Sequence, residues 1–86
     1  MVYVLLNTEP SQMESVLKKI KEIGGVEEAY MVYGIYDICA KVKTEIPQKL
    51  KGIVQKIRSQ KNVLYTLTLM VVSQPETQGN VKALYY

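Results

Sequence analysis

The 86-residue chain has no histidine, tryptophan or phenylalanine, and only one cysteine. Asp37 is its single aspartate and Arg58 its single arginine. Without histidine, and with Cys39 and Asp37 each alone of their kind, the sequence has no set for a Ser-His-Asp triad or a Cys/His metal cluster. Cys39 has no second cysteine for an internal disulfide, and it stands in an apolar run where a small buried side chain is the ordinary reading. No glycine-rich loop of the phosphate-cradling kind occurs. Glu27 and Glu28 adjoin, but neighbours on a strand point to opposite faces and so do not make an acid-base pair. An enzyme is not expected, and neither a cofactor nor a metal is indicated. No apolar run approaches the ~20 residues of a membrane span, and residues 2–6 are too short and lack the basic flank of an export signal. The expectation is a soluble, cytoplasmic protein with no membrane partner.

What is present is an apolar, tyrosine-rich chain: 48% of residues are hydrophobic, and seven tyrosines supply all the aromatic bulk. That composition is globular, and the length fits one domain. A domain this small buries only about 60 to 65% of its unfolded surface, so help from a partner surface is plausible. The net charge of +3 is modest. Its cations gather at residues 45–61, where Lys49, Lys51, Lys56, Arg58 and Lys61 face Glu45 alone. A solvated helix face is the default reading there, with a nucleic acid or an acidic partner as the minority one.

Along the chain, Val2 to Asn7 reads as a strand, and Asn7-Thr8-Glu9-Pro10 as a turn into a helix. Ser11 and Glu14 have capping-box spacing. Met13, Val16, Leu17, Ile20 and Ile23 form one apolar stripe, and Gly24-Gly25 ends the helix. Val26 to Tyr33 and Tyr36 to Lys43 read as an antiparallel hairpin about a tight turn at Gly34-Ile35. A second helix opens near Pro47, with Ile46, Leu50, Ile53, Val54 and Ile57 as its stripe. Gly52 inside it costs about 1 kcal/mol relative to alanine, and close packing of helix on sheet is the ordinary explanation. Val63 to Ser73 is the longest strand-like run. The order strand, helix, strand, repeated, predicts a ferredoxin-like α+β fold, a four-stranded antiparallel sheet with both helices on one face. Residues 1–73 make this domain. Residues 74–86 read as a C-terminal tail whose Val81, Leu84, Tyr85 and Tyr86 offer apolar groups to a neighbour.

Helices on one face should leave the other face polar in a monomer. These strands are apolar on both sides: Val2, Val4 and Leu6 oppose Tyr3 and Leu5, and Leu67, Leu69 and Val71 oppose Thr66, Thr68 and Met70. The open face is expected to meet a second protomer.

Asp37 is the one charged residue between Ala29 and Ala40. Aspartate is disfavoured in strands, and an unpaired buried carboxylate is costly. Two readings follow. It caps the turn by accepting backbone N–H bonds, or it faces the ammonium of a small ligand whose carboxylate meets backbone N–H groups near Gly34.

The hairpin pattern Ala29-Tyr30, Val32-Tyr33-Gly34, Tyr36-Asp37 and Lys41-Val42, with the Ile23-Gly24-Gly25-Val26-Glu27-Glu28 entry and Thr66 to Val72 on the last strand, resembles the ligand-binding domain of the leucine-responsive regulatory protein (Lrp/AsnC) family. Such domains, also called RAM domains, are βαββαβ folds that usually follow a helix-turn-helix. This chain begins at the first strand, so the resemblance implies a stand-alone RAM protein without direct DNA binding. It further implies sheet-face dimers assembled into octamer-type rings, an amino-acid effector between dimers, and regulation of transcription or amino-acid metabolism through partner proteins. Carried over by position, Tyr33, Gly34, Tyr36 and Asp37 would form one side of the effector pocket, with Thr66 and Thr68 contributing from the last strand.

Other readings compete with this one. A ligand-free adaptor that mixes with full-length Lrp-type regulators fits the same interfaces. An RNA-recognition motif shares the element order, but its stacking aromatics would fall on Ile35, Asp37 and Ala40. A ferredoxin-like monooxygenase or acylphosphatase lacks its acid-base or Arg-Asn groups here.

Overall fold

Val2, Val4, Leu6 and Thr8 alternate with Tyr3, Leu5 and Asn7 along the first strand, β1 (Val2–Thr8), and only the first set is buried. That alternation fixes which side of the sheet the helices cover. The structure, a computed structural model, describes residues 1–74 and 77–84, with side chains described as far as Val71. After β1 come a 3-10 turn (Pro10–Gln12), α1 (Met13–Lys21), β2 (Val26–Met31), β3 (Ile38–Val42), α2 (Pro47–Arg58), β4 (Val63–Gln74) and β5 (Thr77–Leu84). The sheet order is β2-β3-β1-β4-β5, with every pair of neighbours antiparallel. Its first four strands are the ferredoxin-like βαββαβ arrangement: β1 lies between β3 and β4, and each helix crosses over one intervening strand.

Val16 and Ile20 of α1 and Leu50, Val54 and Ile57 of α2 join Val2, Val4, Leu6, Ile38, Ala40 and Val42 in one buried cluster. Full burial of each large aliphatic side chain contributes about 1.5 to 3 kcal/mol, so this layer is the main source of stability. Register shows what lies on the opposite, open face. Leu5 pairs with Cys39 and Leu67, Tyr3 with Lys41 and Leu69, and Tyr30 with Cys39.

Several local expectations change. The capping box does not form, because Pro10 starts a 3-10 turn in which Gln12 N–H bonds to Glu9 O and Ser11 is inside the turn. Ile46 precedes α2 rather than joining its stripe, and it is half-exposed. The hairpin turn spans residues 32–37 instead of two residues. Beyond residue 73, where a tail was expected, β4 continues to Gln74 and β5 pairs along it from Gln74↔Thr77 to Thr68↔Leu84. This pairing satisfies the outer edge of β4 with backbone bonds that a hydropathy pattern does not reveal. Tyr85 and Tyr86 lie outside the described residues.

Both helices leave through the same kind of turn. Gly25 (φ +98°) and Asn62 (φ +74°) take left-handed backbone, and the next N–H, of Val26 or Val63, reaches back to Ile23 O or Gln60 O. Glycine and asparagine tolerate that conformation best. A Cβ on Gly25 would also collide with the Ile53 side chain. Gly25→Ala is expected to cost about 1 to 2 kcal/mol from backbone handedness alone, read as a lower urea midpoint at unchanged m-value.

Candidate functional site

The loop from Val32 to Asp37 is built by hydrogen bonds to the end of β1. Val32 N–H donates to Asp37 O at 2.9 Å, closing the loop on itself, and Asp37 N–H donates to Leu6 O at 3.0 Å. The Asp37 carboxylate then accepts Thr8 N–H through Oδ2 at 2.9 Å. Asn7 Nδ2 donates to Ile35 O at 2.7 Å. Gly34, at φ +140°, takes the one backbone shape in the loop that a side chain resists.

Pinned at its base, the loop projects its tip. Tyr33 and Ile35 are 107% and 86% exposed, while Val32, Tyr36 and Asp37 are half-buried. Beneath the tip lies a cavity of about 370 Å³ lined by Met13, Met31, Val32, Tyr33, Gly34 and Asp37. Its wall is mostly apolar, and the Asp37 carboxylate is its one charged group. Among the described residues, Asp37 Oδ1 has no hydrogen-bond partner, and neither do the N–H groups of residues 33–36. One carboxylate oxygen therefore holds the loop while the other is available.

Of the residues the sequence singled out, Tyr33, Gly34 and Asp37 meet at this cavity. Tyr36 lies in the same loop but not on the cavity wall. Thr66 lines a separate cavity of about 210 Å³ with Arg58, Val63, Leu64 and Tyr65. Thr68 is fully buried opposite Val4 on the helix-covered side, so the expected contribution of its hydroxyl to a pocket at the loop is not what the structure places there. Register decides this: Thr68 lies opposite Val4 and shares its face with Met70, which packs on the core. Four participants were not singled out for the site. Met13, Met31 and Val32 line the cavity, and Asn7, read only as a turn residue, anchors the tip.

The open face of the sheet is chemically quiet. Glu28, accepting a hydrogen bond from the Tyr30 hydroxyl, holds that group above its usual pKa, with desolvation adding to the effect. Burial pushes the Cys39 thiol up as well. Both groups stay neutral at physiological pH, in keeping with the apolar Leu5, Leu67 and Leu69 beside them.

Residues 1–81 match the family model described as the Lrp/AsnC ligand binding domain. The chain belongs to that family. Its fold recurs in a Thermus thermophilus protein, TTHA0845, at TM-score 0.79 and 28% identity over 87% of this chain and 96% of that one. E. coli AsnC matches at TM-score 0.77 and 25% identity, over 90% of this chain but 53% of AsnC. The homocitrate synthase of Sulfurisphaera tokodaii is 37% identical over 60 residues, 70% of this chain. The chain spans only 13% of that enzyme's length. The Lrp/AsnC ligand-binding domain is thus a regulatory, RAM-type module, and the stretch shared with the enzyme is a small part of it. Among the described residues no helix is long and apolar enough to cross a membrane.

Thr68 Oγ1 has no hydrogen-bond partner among the described residues. Thr68→Val, nearly isosteric, is expected to leave stability unchanged or raise it by about 1 kcal/mol, since an unpaired buried hydroxyl costs about 1 to 3 kcal/mol. Equilibrium urea unfolding checks this.

Proposed function

We propose that this protein is an amino-acid-responsive, homo-oligomeric regulatory module that holds its effector at the 32–37 loop, where protomers meet. One observation carries the reading: a carboxylate locked by one oxygen to β1 offers its other oxygen beside an apolar cavity and a row of unpaired N–H groups. An α-amino acid has the complementary parts. Its ammonium meets Asp37 Oδ1, its carboxylate meets the N–H groups of residues 33–36, and an apolar side chain rests on Met13, Met31 and Val32. Such charge-assisted contacts fix orientation, and the apolar wall gives affinity. Tyr33 closes over the effector, and Gly34 lets it approach the backbone. Tyr36 supports the loop from inside. Thr66 acts at the neighbouring cavity and Thr68 through packing.

The exposed tip, Tyr33 and Ile35, is completed by a neighbouring dimer, and the dimer itself forms through the open sheet face. That face groups Tyr3, Leu5, Leu67 and Leu69, a patch a monomer has no reason to expose. A ring of dimers, commonly an octamer in this family, follows from combining the two contacts. Matches within both a longer AsnC chain and a homocitrate synthase support a sensing and assembly unit that serves different outputs. In this reading the chain has no catalysis of its own and works in the cytoplasm on partner proteins, full-length Lrp-type regulators among them, to adjust transcription or amino-acid metabolism.

A thermal-shift screen of the twenty amino acids tests the effector. At least one is expected to raise the midpoint of the wild-type protein. Asp37→Asn, which can still accept Thr8 N–H, should keep the unliganded midpoint and lose the shift. Asp37→Ala should lose the shift and also about 1 to 3 kcal/mol of stability, because Thr8 N–H is left unpaired. No shift with any amino acid would replace this reading with the ligand-free adaptor.

Sedimentation tests the assembly. The wild-type protein should run as a dimer or a multiple of dimers at micromolar concentration. Leu5→Glu, which places a charge at the centre of the open face, should yield folded monomers.

A further inference from the structure

The outer side of α2 is basic and free of acidic residues along its length. Between Glu45 and Glu76 the sequence contains no acidic residue. Across that stretch Lys49, Lys51, Lys56, Arg58 and Lys61 are all exposed, and among the described residues none is in an ion pair. At 100° per residue, the buried stripe of Leu50, Val54 and Ile57 puts Gly52 at the crest of the solvent side. Gly52 was expected to permit close packing on the sheet. It is instead exposed, and a Cβ there would meet nothing within 4 Å.

A glycine in mid-helix costs about 1 kcal/mol relative to alanine, and nothing inside this protomer requires it. What it does create is a bare strip of backbone. Gln48 and Lys49 lie one turn before it and Gln55 and Lys56 one turn after it, so long polar and cationic side chains ring a shallow notch. Such a notch lets another backbone come close while the lysines reach around it.

Charge selects an acidic partner, and the notch selects its shape. A nucleic-acid backbone would be served best by a hydrogen-bond donor at the crest, but the Gly52 N–H is already used within the helix. A second copy of this chain offers no acidic helix: α1 presents Lys18, Lys19 and Lys21 with Glu14 and Glu22, α2 would meet its own cations, and the adjacent carboxylates Glu27 and Glu28 stand on a strand. We propose that the outward face of α2 is a docking surface for an acidic α-helix of a different protein. The partner helix approaches closest over Gly52, and its carboxylates, about seven residues or ~10 Å apart, pair with Lys49 and Lys56. This surface lies on the opposite side of the sheet from the open face, so docking and sheet-face dimerisation are compatible. It goes beyond the effector reading and does not depend on it.

The probe is a fluorescently labelled, stapled, alanine-rich helix of about five turns, with glutamate three residues before and four residues after its central alanine. Its anisotropy is measured against the full chain, beside a glutamine-for-glutamate version of the helix and a duplex DNA of similar length. The acidic helix should bind the wild-type protein. Gly52→Leu should weaken that binding at least about tenfold. The same substitution should raise the thermal midpoint, since leucine is the better helix former. Lys49→Glu combined with Lys56→Glu should weaken it by at least as much. The proposal is overturned if the acidic helix does not bind, if the glutamine version binds equally well, or if Gly52→Leu binds like wild type. Tighter binding of duplex DNA than of the acidic helix would likewise overturn it, and would assign the face to nucleic acid.

Discussion

The bond from Thr8 N–H to the Asp37 carboxylate ties the end of the central strand to the loop that leaves the sheet's far side. β1 is the only strand flanked by both β3 and β4, so whatever is fastened to its end inherits the rigidity of the whole sheet. That is why a six-residue loop with two exposed side chains at its tip keeps a defined shape. It is also why one aspartate can serve structure and recognition together: a carboxylate has two oxygens and about four acceptor positions, and only one is taken by the strand.

A second constraint comes from the helices. Among the described residues two helices cover one face of this sheet and none covers the other, so the two sides of the same strands have different surroundings. Alternation divides them residue by residue. Val4 and Leu6 belong to the interior, Tyr3 and Leu5 to the open face. The charged groups of that face, Glu28 opposite Lys41, lie toward the β2 edge, and its centre is built from Leu5, Leu67 and Leu69.

Much of this was legible beforehand because it rests on periodicity. The element order, both helix stripes apart from Ile46, and the two-sided apolarity of the strands are local patterns that packing then enforces. The left-handed turns were legible at Gly24-Gly25 and only half so at Lys61-Asn62, since asparagine signals such a turn more weakly than glycine. What escaped was non-local. Thr8 is far from Asp37 in sequence, so nothing near the aspartate names its partner. β5 pairs along β4 at the end of the chain, and Thr77-Gln78-Gly79-Asn80 has no strand-like pattern of its own. Gly52 was visible as an anomaly and was read as a packing contact, although the helix stripe itself places it on the solvent side. Thr68 was assigned to the site by analogy of position; both faces of β4 are largely apolar in the sequence, and its register opposite Val4 is what shows it to be interior.

The added strand has one more effect. By lying along β4, β5 moves one lateral border of the sheet outward by a strand, so that β2 and β5 are its two edges among the described strands. At the β2 edge the chain sets Glu27 and Glu28 in succession, with Glu27 near Lys41 at 3.8 Å. An open border bearing paired negative charges repels a second copy of itself. The β2 edge is thereby a poor template for the endless edge-to-edge stacking that leads to fibrils.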